Sequence, residues 1–178
     1  MRQDSPAARG RSAGPDFALI RLDRKVTGHN PLAINRSAGL AAGDGLFVIG
    51  HPVGLPLKVA GGATVRDVPM EGYFTTDLDT FSGSSGSPVF NAKTKLIEGI
   101  LARGDEDFVL TPAGCAATAA YAQNGGRGEE ATKISILADF IPAQDGPAAE
   151  AAVKTLNIDL GVPQPEPGPV HAKGIRFD

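Results

Sequence analysis

With 178 residues the chain has room for one ordinary domain or one domain plus a tail, and with 42% hydrophobic residues it can build a core. A net charge of −3 with no basic stripe argues against a nucleic-acid partner, and no apolar run approaches the ~18 residues of a membrane span. Gly (23) and Pro (14) are abundant and Trp is absent, which suits short strands and tight turns better than a helix bundle.

Residues 1–14 are polar, carry Arg2, Arg9 and Arg11, and lack the apolar stretch of a secretory signal; they read as a flexible lead-in. The apolar run 17–22 predicts a buried strand. A polar turn follows at Thr27-Gly28-His29-Asn30-Pro31, then residues 32–35. Gly43-Asp44-Gly45 feeds a strand at 46–49, which breaks at Gly50-His51-Pro52. Further strands are expected at 57–60, 64–68, 73–78, 88–91 and 96–101. Their spacing, with turn residues between most of them, predicts an all-β sandwich or barrel.

One helix is expected, at 131–141, where Ile134, Leu137, Ala138 and Ile141 fall at i, i+3, i+4 and i+7 before Pro142 stops it. Residues 143–178 are Ala-rich, then carry Pro163, Pro165, Pro167 and Pro169 on alternate positions, and read as an extended tail. Cys115 is the only cysteine, so an intrachain disulfide and a thiolate-clustered metal site are both ruled out. A lone cysteine reads first as a small buried hydrophobe, or else as the partner of a thiol outside the chain.

The segment that carries chemistry is Phe81-Ser82-Gly83-Ser84-Ser85-Gly86-Ser87-Pro88-Val89-Phe90. A nucleophilic serine needs an exposed hydroxyl on a tight turn and backbone N–H groups aimed at the oxygen of a tetrahedral intermediate. Gly83 lets the chain turn back, Gly86 removes a side chain beside Ser85, and Pro88 stiffens the exit. On residue types alone, a Ser/Gly turn without chemistry fits as well.

In context, Gly83 to Phe90 resembles the nucleophile motif of the trypsin-like serine peptidases, especially their bacterial glutamyl-endopeptidase-like branch. The resemblance implies Ser85 as nucleophile and the N–H groups of Gly83 and Ser85 as the oxyanion hole. Ser84 stands where animal members usually carry Asp, so activation by pairing with a new N-terminus is not expected. Asp16-Phe17-Ala18-Leu19-Ile20-Arg21-Leu22 resembles the family's segment around the triad aspartate, which would make Asp16 the carboxylate that orients the imidazole; the plain alternative is a strand-start residue satisfied by local N–H groups. Residues 46–54 resemble the first strand and turn of the second barrel, and 96–101 the strand beside the specificity pocket.

The family order is His, Asp, Ser, yet no histidine precedes Asp16; His29, His51 and His171 all follow it. The expectation is therefore the C-terminal part of the fold: 1–14 lead-in, 15–142 peptidase domain, 143–178 tail. That domain would be all-β, a second barrel of about six strands preceded by the last strands of a truncated first barrel, with a short C-terminal helix. Its expected activity is serine-type hydrolysis of peptide bonds in a peptide or protein substrate, without metal or cofactor, the present chain lacking its histidine. The rival is a non-catalytic module that docks peptides by strand addition at a sheet edge.

Two residues bear on specificity. Asp79 lies six positions before Ser85, the offset at which trypsin keeps its aspartate. Arg103 lies eighteen after it, about where acid-selective relatives keep an arginine, and the motif tilts the expectation towards Arg103.

Overall fold

The computed structural model describes residues 14–37, 39–69 and 72–143. Eight strands are present among them: β1 (Gly45–Gly50), β2 (Lys58–Asp67), β3 (Tyr73–Thr76), β4 (Pro88–Asn91), β5 (Ile97–Arg103), β6 (Phe108–Leu110), β7 (Ala116–Thr118) and β8 (Glu129–Lys133). Six of them close an antiparallel barrel in the order β1-β2-β3-β8-β5-β4, while β6 and β7 form a separate hairpin. The all-β barrel expected from strand spacing is thus the fold found, and closure removes the free edges that a sheet would otherwise present.

Alternation explains why these residues form these strands. Leu46 and Val48 of β1, Val65 of β2, Phe74 of β3, Val89 of β4, Leu101 of β5 and Ala131 of β8 all point inward and make one buried cluster. Phe47 and Phe90 face the other way, directly opposite each other across β1 and β4. Their rings stack at 4.8 Å between centroids, 9° from parallel, with Lys95 Nζ 5.4 Å above Phe47.

Four expectations are corrected. The two strands at 57–60 and 64–68 are one bent strand, β2. Its Gly61-Gly62 pair has the composition of a turn but is a kink, with Gly62 at φ +78° and the two glycines set against the single residue Phe47 of β1 at a register shift.

The helix at 131–141 does not form. Residues 129–133 are β8, inserted between β3 and β5 so that Ala131 lies opposite both Phe74 and Leu101. The helical pattern survives only as one 3-10 turn, Ile134–Leu137, which buries Ile134 and Leu137. Two flanking strands offering backbone partners outweigh a local periodicity.

The run 17–22 is not a strand. No described residue before Gly45 lies in one, apart from a single bridge between Ile34 and Ile97. With no strand alongside it, the run lies extended and open to solvent, Ile20 at 77% exposure. Cys115 is also exposed, at the turn between β6 and β7, rather than buried. All but Gly14 of the lead-in, all but Ala143 of the tail, and His171 lie outside the described residues.

Candidate functional site

Ser85 sits on the loop that joins β3 to β4, and that loop is pinned from three sides. At its start the Asp77 carboxylate accepts from the N–H and Oγ1 of Thr64 on β2. In its middle, Ser82 donates its N–H and hydroxyl to Asp107, while the Ser82 carbonyl accepts the Val53 N–H at 2.7 Å. Phe81 leans on Phe108 of β6, with ring centroids 5.8 Å apart. At its end, Gly86 N–H donates to the Leu101 carbonyl (2.7 Å) and Leu101 N–H donates to the Ser87 carbonyl (3.0 Å), extending the β4–β5 ladder.

Within this frame the turn needs glycine twice, with Gly83 at φ +95° and Gly86 at φ +85°. A Cβ at Gly83 would also crowd the His51 carbonyl at 3.2 Å. The amides of Ser82, Ser84, Gly86 and Ser87 each donate to an acceptor. Among the hydrogen bonds of the described residues, those of Gly83 and Ser85 donate to none. Ser84 is buried, whereas Ser85 is exposed with its hydroxyl engaged only by a long contact to the Ala102 carbonyl, 3.4 Å.

A cavity of about 300 Å³ opens beside Ser85, lined among others by Thr80, Ala102, Gly104, Asp107 and Glu129. A second of about 370 Å³ shares Thr80, Asp107 and Glu129 with it and is also lined by Asp79, which is exposed. Sequence alone does not single out Glu129, because the helical period of residues 131–141 hides the strand that begins there. Once 129–133 is a strand, Glu129 falls two residues from the core residue Ala131 and so on the inward face. Burial pushes its carboxyl up to about 7, helped by the nearby Asp107 and Asp105 and opposed by the Thr80 hydrogen bond and Arg127.

The other expected site residues are not joined to Ser85 by any described hydrogen bond. Asp16 is tied through its backbone alone. Its N–H donates to Thr132 Oγ1 and that hydroxyl donates to the Asp16 carbonyl, both at 2.8 Å. Arg103 turns its guanidinium to Glu130 (3.2 Å) and to the Gly14 carbonyl (2.9 Å). His51 sits just before the 3-10 turn Pro52–Gly54 with its ring Nδ1 3.1 Å from the Leu55 carbonyl, so Nδ1 carries the proton there. His29 is exposed. Among the described residues no cluster of His, Cys, Asp and Glu could hold a metal ion, and no helix is long and apolar enough to cross a membrane.

Comparison with solved structures returns proteases of low similarity. Deg5 matches at 23% identity over 41% of this chain and 39% of its own, with a TM-score of 0.36. An HtrA-type protease, AlgW, solved with a decapeptide, matches at 20% identity over 59% of this chain and 30% of its own, with a TM-score of 0.42. The active form of the Rv3671c protease from M. tuberculosis matches at 17% identity over 66% and 51%, with a TM-score of 0.40. The chain therefore spans about half or less of the length of each of these three proteins. No curated protein sequence matches it. A family model does: the trypsin-like peptidase domain covers residues 2–97, more than half of the chain, so the chain belongs to the trypsin-like peptidase family.

Proposed function

We propose that the chain carries the nucleophile-bearing barrel of a serine-type endopeptidase, which hydrolyses peptide bonds through an acyl-enzyme on Ser85. The observation that carries the reading is the pattern of amides in the loop. Four neighbouring N–H groups are used, and those of Gly83 and Ser85 are left without an acceptor beside an exposed hydroxyl. Backbone donors left open in a rigid turn need no reorganisation when negative charge develops on a substrate carbonyl oxygen, which is the condition for oxyanion stabilisation.

In the proposed reaction Ser85 Oγ attacks the carbonyl carbon, a base takes its proton, the two amides hold the oxyanion, and the protonated base gives that proton to the nitrogen of the amine as the C–N bond breaks. Water then repeats the sequence on the ester. The base is a histidine oriented by Asp16. His51 does not suit the role, since it makes no described hydrogen bond to Ser85 or Asp16. We therefore expect the histidine to come from a strand ahead of Asp16.

The non-catalytic alternative needs an open edge for a docked peptide. The closed barrel offers none, which leaves that reading, among the described residues, the two-stranded β6–β7 sheet alone.

The test is acylation and turnover in two contexts. Residues 1–178 alone are expected neither to hydrolyse peptides nor to react with a fluorophosphonate at Ser85. Joined to a histidine-bearing strand ahead of Asp16, they are expected to do both. There Ser85→Ala should lower kcat by roughly 10⁶, the scale of a triad knockout, and Ser84→Ala or Ser87→Ala far less. Turnover surviving Ser85→Ala would remove the assignment.

A further inference from the structure

The two open amides of the serine turn each belong to a peptide unit whose carbonyl is held. In a trans peptide the C=O and N–H point opposite ways, so a bond that fixes the carbonyl also fixes where the N–H aims. The Ser84 carbonyl, which shares its peptide with the Ser85 N–H, accepts the Ser87 N–H at 3.0 Å. The Ser82 carbonyl, which shares its peptide with the Gly83 N–H, accepts the Val53 N–H at 2.7 Å. The first of these bonds lies inside the loop. The second reaches in from the turn that follows β1. One amide is therefore aimed by the loop itself and the other from outside it.

The outside turn is held in a costly conformation. Val53 lies at φ +47° and ψ +32°, the left-handed region, which a β-branched residue rarely adopts. Its side chain is 48% exposed, so core packing does not account for the strain. Hydrogen bonds hold the turn instead. Leu55 N–H donates to the Pro52 carbonyl at 2.9 Å, and the His51 ring donates from Nδ1 to the Leu55 carbonyl. Gly83 lies against this same turn, where a Cβ would stand 3.2 Å from the His51 carbonyl oxygen and 3.4 Å from the Val53 nitrogen. Strain of this kind persists only where the surroundings over-determine the backbone, and here it sits on the residue whose N–H reaches the serine loop.

We propose that the turn 51–55 is the latch that aims the Gly83 N–H, and that Val53 is its positioning residue, acting through its backbone N–H on the Ser82 carbonyl. The proposal rests on the reading of Gly83 and Ser85 as the oxyanion donors. With the latch closed, the Ser82–Gly83 peptide has one orientation. With it released, that peptide can rotate, because glycine accepts φ of either sign, and the Gly83 N–H leaves the direction it holds here. The Ser82 N–H and hydroxyl stay on Asp107, so the loop keeps its place while a single peptide turns. The Ser85 N–H is unaffected, since Ser87 holds its peptide from within. One donor of two is lost, and with it about 10²–10³ in the rate of attack on a substrate carbonyl.

The test is the orientation of the Gly83 N–H in isotope-labelled residues 1–178, read from residual dipolar couplings in a weakly aligned sample. It needs no catalytic turnover. In the parent chain the Gly83 coupling should fit the frame set by the amides of β1, β4 and β5. Val53→Pro, which removes the N–H and cannot take a positive φ, should lose that fit at Gly83 while Ser85 and the barrel keep theirs. Val53→Gly, which keeps the N–H at a φ that glycine adopts freely, should retain it. Should Val53→Pro fail to fold, the α-hydroxy acid analogue of valine at position 53 removes the N–H alone and should give the same loss. In the form that carries a histidine-bearing strand, Val53→Pro should lower kcat by about 10²–10³ with KM nearly unchanged. A Gly83 coupling unchanged in the hydroxy-acid variant, a change spread through the barrel there, or a raised KM with kcat intact would overturn the proposal. Absence of Ser85 acylation leaves the couplings standing, and unchanged couplings leave Ser85 acylation standing.

Discussion

Residues 17–22 and residues 45–50 are both short apolar runs, and they end in opposite states. Leu46, Phe47 and Val48 are almost wholly buried, while Leu19, Ile20 and Leu22 are mostly exposed. Composition does not separate them; neighbours do. β1 has β2 on one side and β4 on the other, so its backbone groups are paired, and the side chains on both its faces are buried. The N-terminal run has no strand beside it among the described residues; polar pins hold the segment just before it, at Asp16, and well after it, at Asn35 and Arg36. Asp16 is fixed on Thr132, Asn35 on the carboxylate of the buried Glu98, and Arg36 on the carbonyls of Ala138, Ile141 and Pro142. An apolar run is a strand only when something pairs with it.

The sharpest way to break that contrast is to remove the barrel's own packing. Phe74→Ala, at the centre of the buried cluster, is expected to cost about 3–5 kcal/mol of stability, measured by urea denaturation. A cost below about 1 kcal/mol would mean the barrel does not depend on this core.

A middle-sized effect is expected from the pins. Asn35→Ala takes away the amide that donates to both oxygens of Glu98, whose carboxyl burial already pushes up, and should cost about 1–3 kcal/mol. The same variant should raise amide exchange in residues 32–37 before the barrel loosens.

The pH dependence is smaller and has a fixed sign. In the folded chain Glu129 keeps its proton up to about 7, whereas the unfolded chain releases it near 4.5. Between those values the folded state binds more protons, so stability falls as the pH rises through that window. Tm should drop from pH 5 to pH 8, and Glu129→Gln should flatten the drop. A Tm that rises over that range in the parent and not in the variant would mean that Glu129 is ionised in the folded chain well below pH 7.

At the other end of the scale, Ile20→Ala should change stability by no more than about 0.5 kcal/mol, because the side chain is open to solvent. A larger loss would show that the run packs against something in solution.

These contrasts also mark what could be read in the sequence. β4 was legible residue for residue and β1 nearly so, because turn residues bound them on both sides: Gly43-Asp44-Gly45 and Gly50-His51-Pro52 around β1, Gly86 and Asn91 around β4. The serine loop was legible because Gly83 and Gly86 are each required by the backbone. β8 was not, since Ile134, Leu137, Ala138 and Ile141 carry a helical period that only flanking strands override. The bulge that pairs Arg103 with Glu130 was not legible either, because one extra residue in a strand leaves no mark in residue type. Glu129 went unseen for the same reason as β8. Gly83 and Ser85 could be named, but the idle state of their amides emerges only when every neighbouring N–H has been traced to its acceptor.

The most direct test of Ser85 as nucleophile is mass spectrometry of the fluorophosphonate adduct. Residues 1–178 carrying a histidine-bearing strand ahead of Asp16 should give one adduct, on the peptide that contains Ser85, and none after Ser85→Ala. Residues 1–178 alone should give none, because a serine hydroxyl without a base is a weak nucleophile. An adduct on Ser85 in the chain alone would make His51 or His29 the base, and an adduct that survives Ser85→Ala would contradict the assignment outright.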